Sequence, residues 1–152
     1  MNSSIEKEIR TFFKKANLQL EDIEIVHDKE ISLDIITLNT SDAKLFFEDD
    51  REVYTAFQYL MKKIMDKKDK TSSFNYLFDI DGSQLKIIQE AKQKASIAYT
   101  RVIQFEKPYE FGFLNAFERM VIHSYLKNYK DVKTVSEGEG LQRRLQVIPV
   151  LN

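Results

Sequence analysis

The chain has 152 residues, of which 43% are hydrophobic, with 4 Gly and 2 Pro, a composition that suits one domain or two small ones and excludes a disordered, linker-rich class. It has no Cys, which excludes disulfides, thiolate zinc sites and cysteine nucleophiles. A formal net charge of −1 excludes a generically basic nucleic-acid coat, so any nucleic-acid contact has to come from a local patch.

In chain order, residues 4–16 set Ile5, Ile9, Phe12, Phe13 and Ala16 at helical spacing, with Ser3 or Ser4 as a cap. Residues 23–28 and 31–38 are rich in β-branched side chains and predict a hairpin. Residues 40–47 predict a short helix capped by Thr40 or Ser41, or a turn around an apolar patch. A charged loop, EDDRE (48–52), follows. Val53, Ala56, Phe57, Leu60, Met61 and Ile64 then keep an i, i+3, i+4 rhythm and predict a helix with these residues as its apolar stripe.

Residues 73–80 read as a third strand, broken by DGS. A long helix over 84–104 carries Leu85, Ile88, Ala91, Ala95, Ala98 and Val102 on one side. Residues 107–113 form an extended connection. Asn115 caps a helix reaching about Tyr129, with Glu118 completing a capping box. Strands over 132–136 and 143–150 flank the glycine turn EGEG (137–140). No apolar run approaches the roughly 18 residues of a membrane span, and the charged N-terminus has no signal-peptide core, so the expected location is the cytoplasm.

Three stretches hold the candidate site residues. In FERMVIHSYL (117–126), Arg119 and His123 lie four apart on one helix face, and Lys127 extends the row. Such a row is either a solvated helix face or a cationic surface that donates to phosphates and stacks on bases. A metal site is disfavoured, because His27 is the one other histidine. A Ser–His–acid triad is disfavoured too, because His123 and Ser124 point about 100° apart on a helix. No catalytic role and no cofactor are expected.

In SEGEGLQRRL (136–145), Ser136, Gly138 and Gly140 form either a plain hairpin turn or a turn that offers N–H groups to an anion. Strand alternation lets one of Arg143 and Arg144 share a face with the helix row, while Glu137 and Glu139 oppose an anion unless they orient the arginines. The third stretch is Glu48, Asp49, Asp50 and Arg51, where a phosphate-cradling loop would stand. Its acids repel phosphate and it lacks a glycine for close backbone approach.

LNAFERMVIHSYL followed by VKTVSEGEGLQRRLQVIP resembles the Arg-x-x-x-His (R-three-H) domain of the bacterial Jag, or SpoIIIJ-associated, family over about residues 105–150. The resemblance continues upstream through TAFQYL (55–60) and LFDIDG (77–82). It implies an α+β protein: a type II KH-like domain of αββααβ order over 1–104, then the Arg-x-x-x-His domain over 105–152. The family's Gly-x-x-Gly loop falls on Glu48–Arg51, where neither glycine is present, and the N-terminal Jag domain of longer members is absent. The resemblance implies single-stranded nucleic-acid binding, RNA more than DNA, in post-transcriptional control linked to cell elongation or envelope growth. It also implies a KH-domain protein as a partner. The alternative is an interaction or homodimerisation module, with Phe46 and Phe47, if exposed, as an apolar patch.

Overall fold

In a computed structural model of the protein, residues 2–68 and 75–150 are described. They fold as a mixed α+β chain in two compact units, 1–84 and 85–152.

The first unit runs α1 (Asn2–Lys15), β1 (Asp22–Asp28), β2 (Leu33–Asn39), α2 (Ala43–Phe47), α3 (Glu52–Lys68) and β3 (Tyr76–Ile80). Both serines proposed to cap α1 lie inside its first turn, since it begins at Asn2. β1 and β2 form the expected antiparallel hairpin, in register from Asp22 opposite Asn39 to Asp28 opposite Leu33. β3 joins the other edge of β2 in parallel, so the sheet order is β1-β2-β3. A parallel neighbour requires a crossover, which α2 and α3 supply. Residues 73 and 74 of the expected third strand lie outside the described residues.

Four phenylalanines knit this unit. Phe57 lies 6.0 Å from Phe13, 5.6 Å from Phe46 and 5.1 Å from Phe78, each edge-on. Edge-to-face rings suit the aromatic quadrupole and add to the burial of large apolar area. Phe46 is fully buried here and Phe47 stacks on Tyr54 at 5.9 Å, so the pair forms no exposed apolar patch. α3 is also rotated from its expected face. Tyr54, Phe57 and Met61 are buried, whereas Val53 and Leu60 are exposed. Tyr54 explains the rotation, because its hydroxyl donates to the Phe78 carbonyl at 2.7 Å, and a hydrophobic count ranks Tyr below Val.

The N-cap of α2 is Asp42 rather than Thr40 or Ser41, and its side chain makes no capping bond. It accepts instead from the Gln19 amide at 2.7 Å, while the Thr40 hydroxyl accepts from the Asp42 amide at 3.0 Å. At the end of β3, the buried Asp79 carboxylate accepts from Thr37 Oγ1 and from the amides of Gly82 and Gln84. Those donors keep a buried charge satisfied and fix the turn into the next helix.

The second unit contains most of α4 (Ser83–Phe105), then β4 (Tyr109–Glu110), α5 (Ala116–Leu126), β5 (Val132–Glu137) and β6 (Arg144–Pro149). Its sheet is antiparallel, ordered β4-β6-β5. Ile88, Ala91, Ala95, Ala98 and Val102 of α4 are buried, as are Val121, Ile122 and Leu126 of α5 and Leu145 and Val147 of β6. The sequence placed α4 in the first domain, with a boundary at 104/105; the fold divides at 84/85. The reason is visible along α4. Lys94 pairs with Glu118 at 2.9 Å, and Tyr99 meets Asp131 and the ring of Tyr129. An apolar stripe tells which face of a helix is buried, not what covers it. α5 ends at Leu126, three residues short of the expected Tyr129, and Lys127 is its C-cap.

Candidate nucleic-acid interface

The start of α5 is fixed tightly. Asn115 Oδ1 accepts from the Glu118 amide at 2.9 Å, and Glu118 Oε2 accepts from the Asn115 amide at 3.0 Å, completing the expected capping box. Glu118 Oε1 also accepts from Lys94 at 2.9 Å. Partial burial works to raise the Glu118 carboxyl, but Lys94 and the Asn115 amide together hold it below its ordinary range.

The next residue is Arg119. It is half-buried, and its Nη1 donates to the Leu114 carbonyl at 2.5 Å. One turn on, His123 is exposed, and its Nδ1 is hydrogen-bonded to Thr134 Oγ1 on β5. That contact leaves Nε2 free to face a ligand. Ser136 shares the Thr134 face of β5, two residues along. Its Oγ accepts from Arg143 Nε at 2.9 Å, and Arg143 Nη1 reaches the Gly138 carbonyl at 3.5 Å.

Arg119, His123, Thr134, Ser136 and Arg143 line one open hollow of about 520 Å³, with Met120 and Leu145 as its apolar part. Cations on a partly apolar surface suit a phosphodiester with an unstacked base. Among the described residues, the ion pairs involve none of Arg119, His123 and Arg143, so Glu137 and Glu139 do not neutralise them by direct pairing.

Two other expected residues fall outside the hollow. A four-residue helical step turns about 40° past a full circle, so Lys127 has drifted about 80° from Arg119. Lys127 is exposed, but it is not part of the lining. Arg144 is the arginine on the other face: it stands opposite Glu137 in register, with Nη1 donating to the carbonyls of Leu141 and Arg143.

Gly138 is required by the turn itself. Its φ is 88°, and a Cβ would lie 2.8 Å from the Gln142 carbonyl oxygen. Gly140 has φ 52° with open space around it. Thr134 and Met120 were missed in the sequence. The alternation Thr134-x-Ser136 in a predicted strand was the available signal for the first.

The acidic loop Glu48–Arg51 lies in the first unit. Asp49, Asp50 and Arg51 have φ of 48°, 54° and 67°, the left-handed region that favours glycine. The Arg51 guanidinium lies 5.3 Å from the Phe47 ring and 5.0 Å from that of Tyr54, so the loop's cation is held on aromatic faces. Glu48 pairs with Lys44 at 3.9 Å, and Asp49 and Asp50 are exposed. This loop presents acid to solvent.

His27 also lies in the first unit, bonded to Asp34 at 2.7 Å. Among the described residues, no group of three or more His, Cys, Asp or Glu is placed to hold a metal ion, and no helix is long and apolar enough to cross a membrane.

None of the curated proteins matches this chain. The family model of the Arg-x-x-x-His (R-three-H) domain matches residues 86–149, from the first turns of α4 to the end of β6, and domains of this family generally bind single-stranded nucleic acid.

Proposed function

We propose that the second unit binds single-stranded nucleic acid, RNA before DNA, in the hollow between α5 and the β5–β6 strands. The observation that carries this reading is the convergence of Arg119, His123 and Arg143, from a helix and a turn, on one partly apolar hollow inside the segment that matches the R-three-H family. Arg119 and Arg143 neutralise neighbouring phosphates. His123, oriented by Thr134, donates to a third phosphate oxygen or stacks on a base through its exposed face.

With about three phosphate contacts, log affinity falls against log salt with a slope near −2 for a single strand. Fluorescence anisotropy with a labelled oligoribonucleotide tests this. Arg119→Ala with His123→Ala abolishes binding, and a folded double mutant with unchanged affinity would sink the reading. The same titration with a deoxyribonucleotide of equal sequence tests the preference for RNA.

The αββααβ order of the first unit supports the reading of a type II KH-like domain. The acidic loop at Glu48–Arg51 argues that this domain has lost its nucleic-acid contact, so the second unit carries the binding. The resemblance to the Jag family adds a cytoplasmic, post-transcriptional role linked to cell elongation or envelope growth. Expression of the Arg119→Ala, His123→Ala chain in cells lacking the native protein tests that role by cell length.

One observation favours a second reading, self-association or docking of a KH-domain protein through the first unit. Val53, Ala56 and Leu60 form an exposed apolar row on α3, with Val53 at 45% and Leu60 at 43% exposure. Light scattering over a range of concentrations tests it. A dimer dispersed by Leu60→Glu supports it, and a strict monomer at every concentration rejects the homodimer.

A further inference from the structure

We infer that a single strand held at Arg119 and His123 continues onto a second, stacking subsite built by the C-terminal half of α4 and the segment after it. This inference rests on the proposed nucleic-acid reading of the first hollow. Two further hollows of the second unit, of about 490 and 270 Å³, adjoin at Tyr109. Arg101, Phe105 and Lys107 line the larger, and Ile97, Phe113 and Leu114 line the smaller.

The chemistry of these walls is aromatic and cationic. Phe105 is 61% exposed and Phe113 58%, so neither ring serves the core. Large rings left in water on two adjoining hollows mark a contact surface. Ile97, Arg101 and Phe105 follow at steps of four along α4, each turned about 40° past the last, so they sweep around the helix from the smaller hollow to the larger. The Arg101 guanidinium sits 5.6 Å from the Tyr109 ring centre, fixed as a cation beside an aromatic wall. Lys94 also lines the smaller hollow, but Glu118 takes its charge. Arg101 and Lys107 supply the charge of the larger hollow. Glu110 accepts from Gln146 at 2.7 Å.

Exposed rings interleaved with cations take single strands with little regard to sequence, because every base has a π face. A duplex hides those faces, which excludes it as the occupant. Continuity selects nucleic acid over an apolar peptide. Leu114 lines the smaller hollow, and its carbonyl is the acceptor for Arg119 Nη1. The cationic hollow and the aromatic one thus meet across a single residue. One strand laid along both would place phosphates at Arg119 and Arg101 and bases on Phe113 and Phe105.

The test compares oligouridylates of about four and about twelve nucleotides by fluorescence anisotropy, the two lengths bracketing common single-domain site sizes. Phe105→Ala with Phe113→Ala weakens the longer strand by about tenfold or more and leaves the shorter one unchanged. Phe105→Tyr with Phe113→Tyr retains full affinity. As an independent variant, Arg101→Gln lowers the salt slope of the longer strand by about one contact, near 0.7. Arg119→Ala weakens both lengths. If Arg119→Ala weakens both but the ring and Arg101 variants bind the longer strand like the parent, the second subsite is overturned and the first hollow stands. If Arg119→Ala changes neither, the first reading fails and takes this one with it. Loss of self-association in the ring variant, with oligouridylate affinity unchanged, also overturns the inference in favour of a protein contact.

Discussion

His123 and Thr134, eleven positions apart, meet through Nδ1 and Oγ1, so a strand hydroxyl sets the orientation of the helix imidazole. A ring fixed at one nitrogen presents the other in a defined direction. Thr134→Val keeps the shape and removes the hydroxyl. Affinity for a single-stranded oligonucleotide should fall about three- to tenfold, the worth of one hydrogen bond, with the melting temperature little changed. Anisotropy beside a thermal melt checks both halves.

Gly138 carries the turn that brings Arg143 back to Ser136. With φ at 88° and a Cβ 2.8 Å from the Gln142 carbonyl oxygen, Gly138→Ala has to move backbone. The expected cost is about 1–3 kcal/mol, read from chemical denaturation. Gly140→Ala meets no neighbour and should cost less, through its φ of 52° alone. Equal losses at the two glycines would contradict this ordering.

Glu118 gives the second unit an acid-sensitive joint. Its folded carboxyl titrates below the ordinary 4.5, because Lys94 and the Asn115 amide outweigh the opposing effect of partial burial. A depressed folded pKa contributes stability that is present above the unfolded pKa and lost as pH falls through the folded one. The Glu118→Gln variant should therefore be less stable than the parent at pH 7 by about 1 kcal/mol, with the difference shrinking below about pH 4.5. Urea melts at pH 7 and pH 3.5 measure it.

Asp50 sits in the acidic loop with φ 54° and ψ 30°. Asp tolerates this region better than most residues, and a β-branched side chain tolerates it poorly. Asp50→Gly should leave stability unchanged or slightly raised, whereas Asp50→Val should lose about 1–2 kcal/mol. Equal stability for the two variants would show that the loop does not hold this backbone in solution.

Local chemistry was readable in the sequence, and pairing between distant segments was not. The Asn115–Glu118 box spans three residues, so propensity and spacing suffice to place it. Alternation showed that one of Arg143 and Arg144 would face the helix row. It took the pairing of Ser136 with Leu145 and Glu137 with Arg144 to select Arg143. Lys127 lies outside the lining of the hollow because a row drawn at intervals of four drifts around a helix. The face of α3 turned because Tyr54 buries its ring while its hydroxyl finds a carbonyl. The domain boundary moved from 104/105 to 84/85, because the partners of α4, Glu118 and Asp131, lie well beyond any local window.

The order β4-β6-β5 gives the hollow an unequal lifetime around its rim. Gln146 and Val147 of β6 have neighbours on both sides, Glu110 and Tyr109 on one and Val135 and Thr134 on the other. Amides bracketed in this way exchange with solvent last when a sheet opens from its edges. Thr134, which holds His123, sits on the edge strand β5 but pairs with Val147 of that slow centre. Arg143 precedes the first residue of β6, outside its paired segment. Opening at the start of β6 should therefore free Arg143 before it reaches the pairing that holds Thr134, so a strand bound in the proposed hollow should loosen first at Arg143.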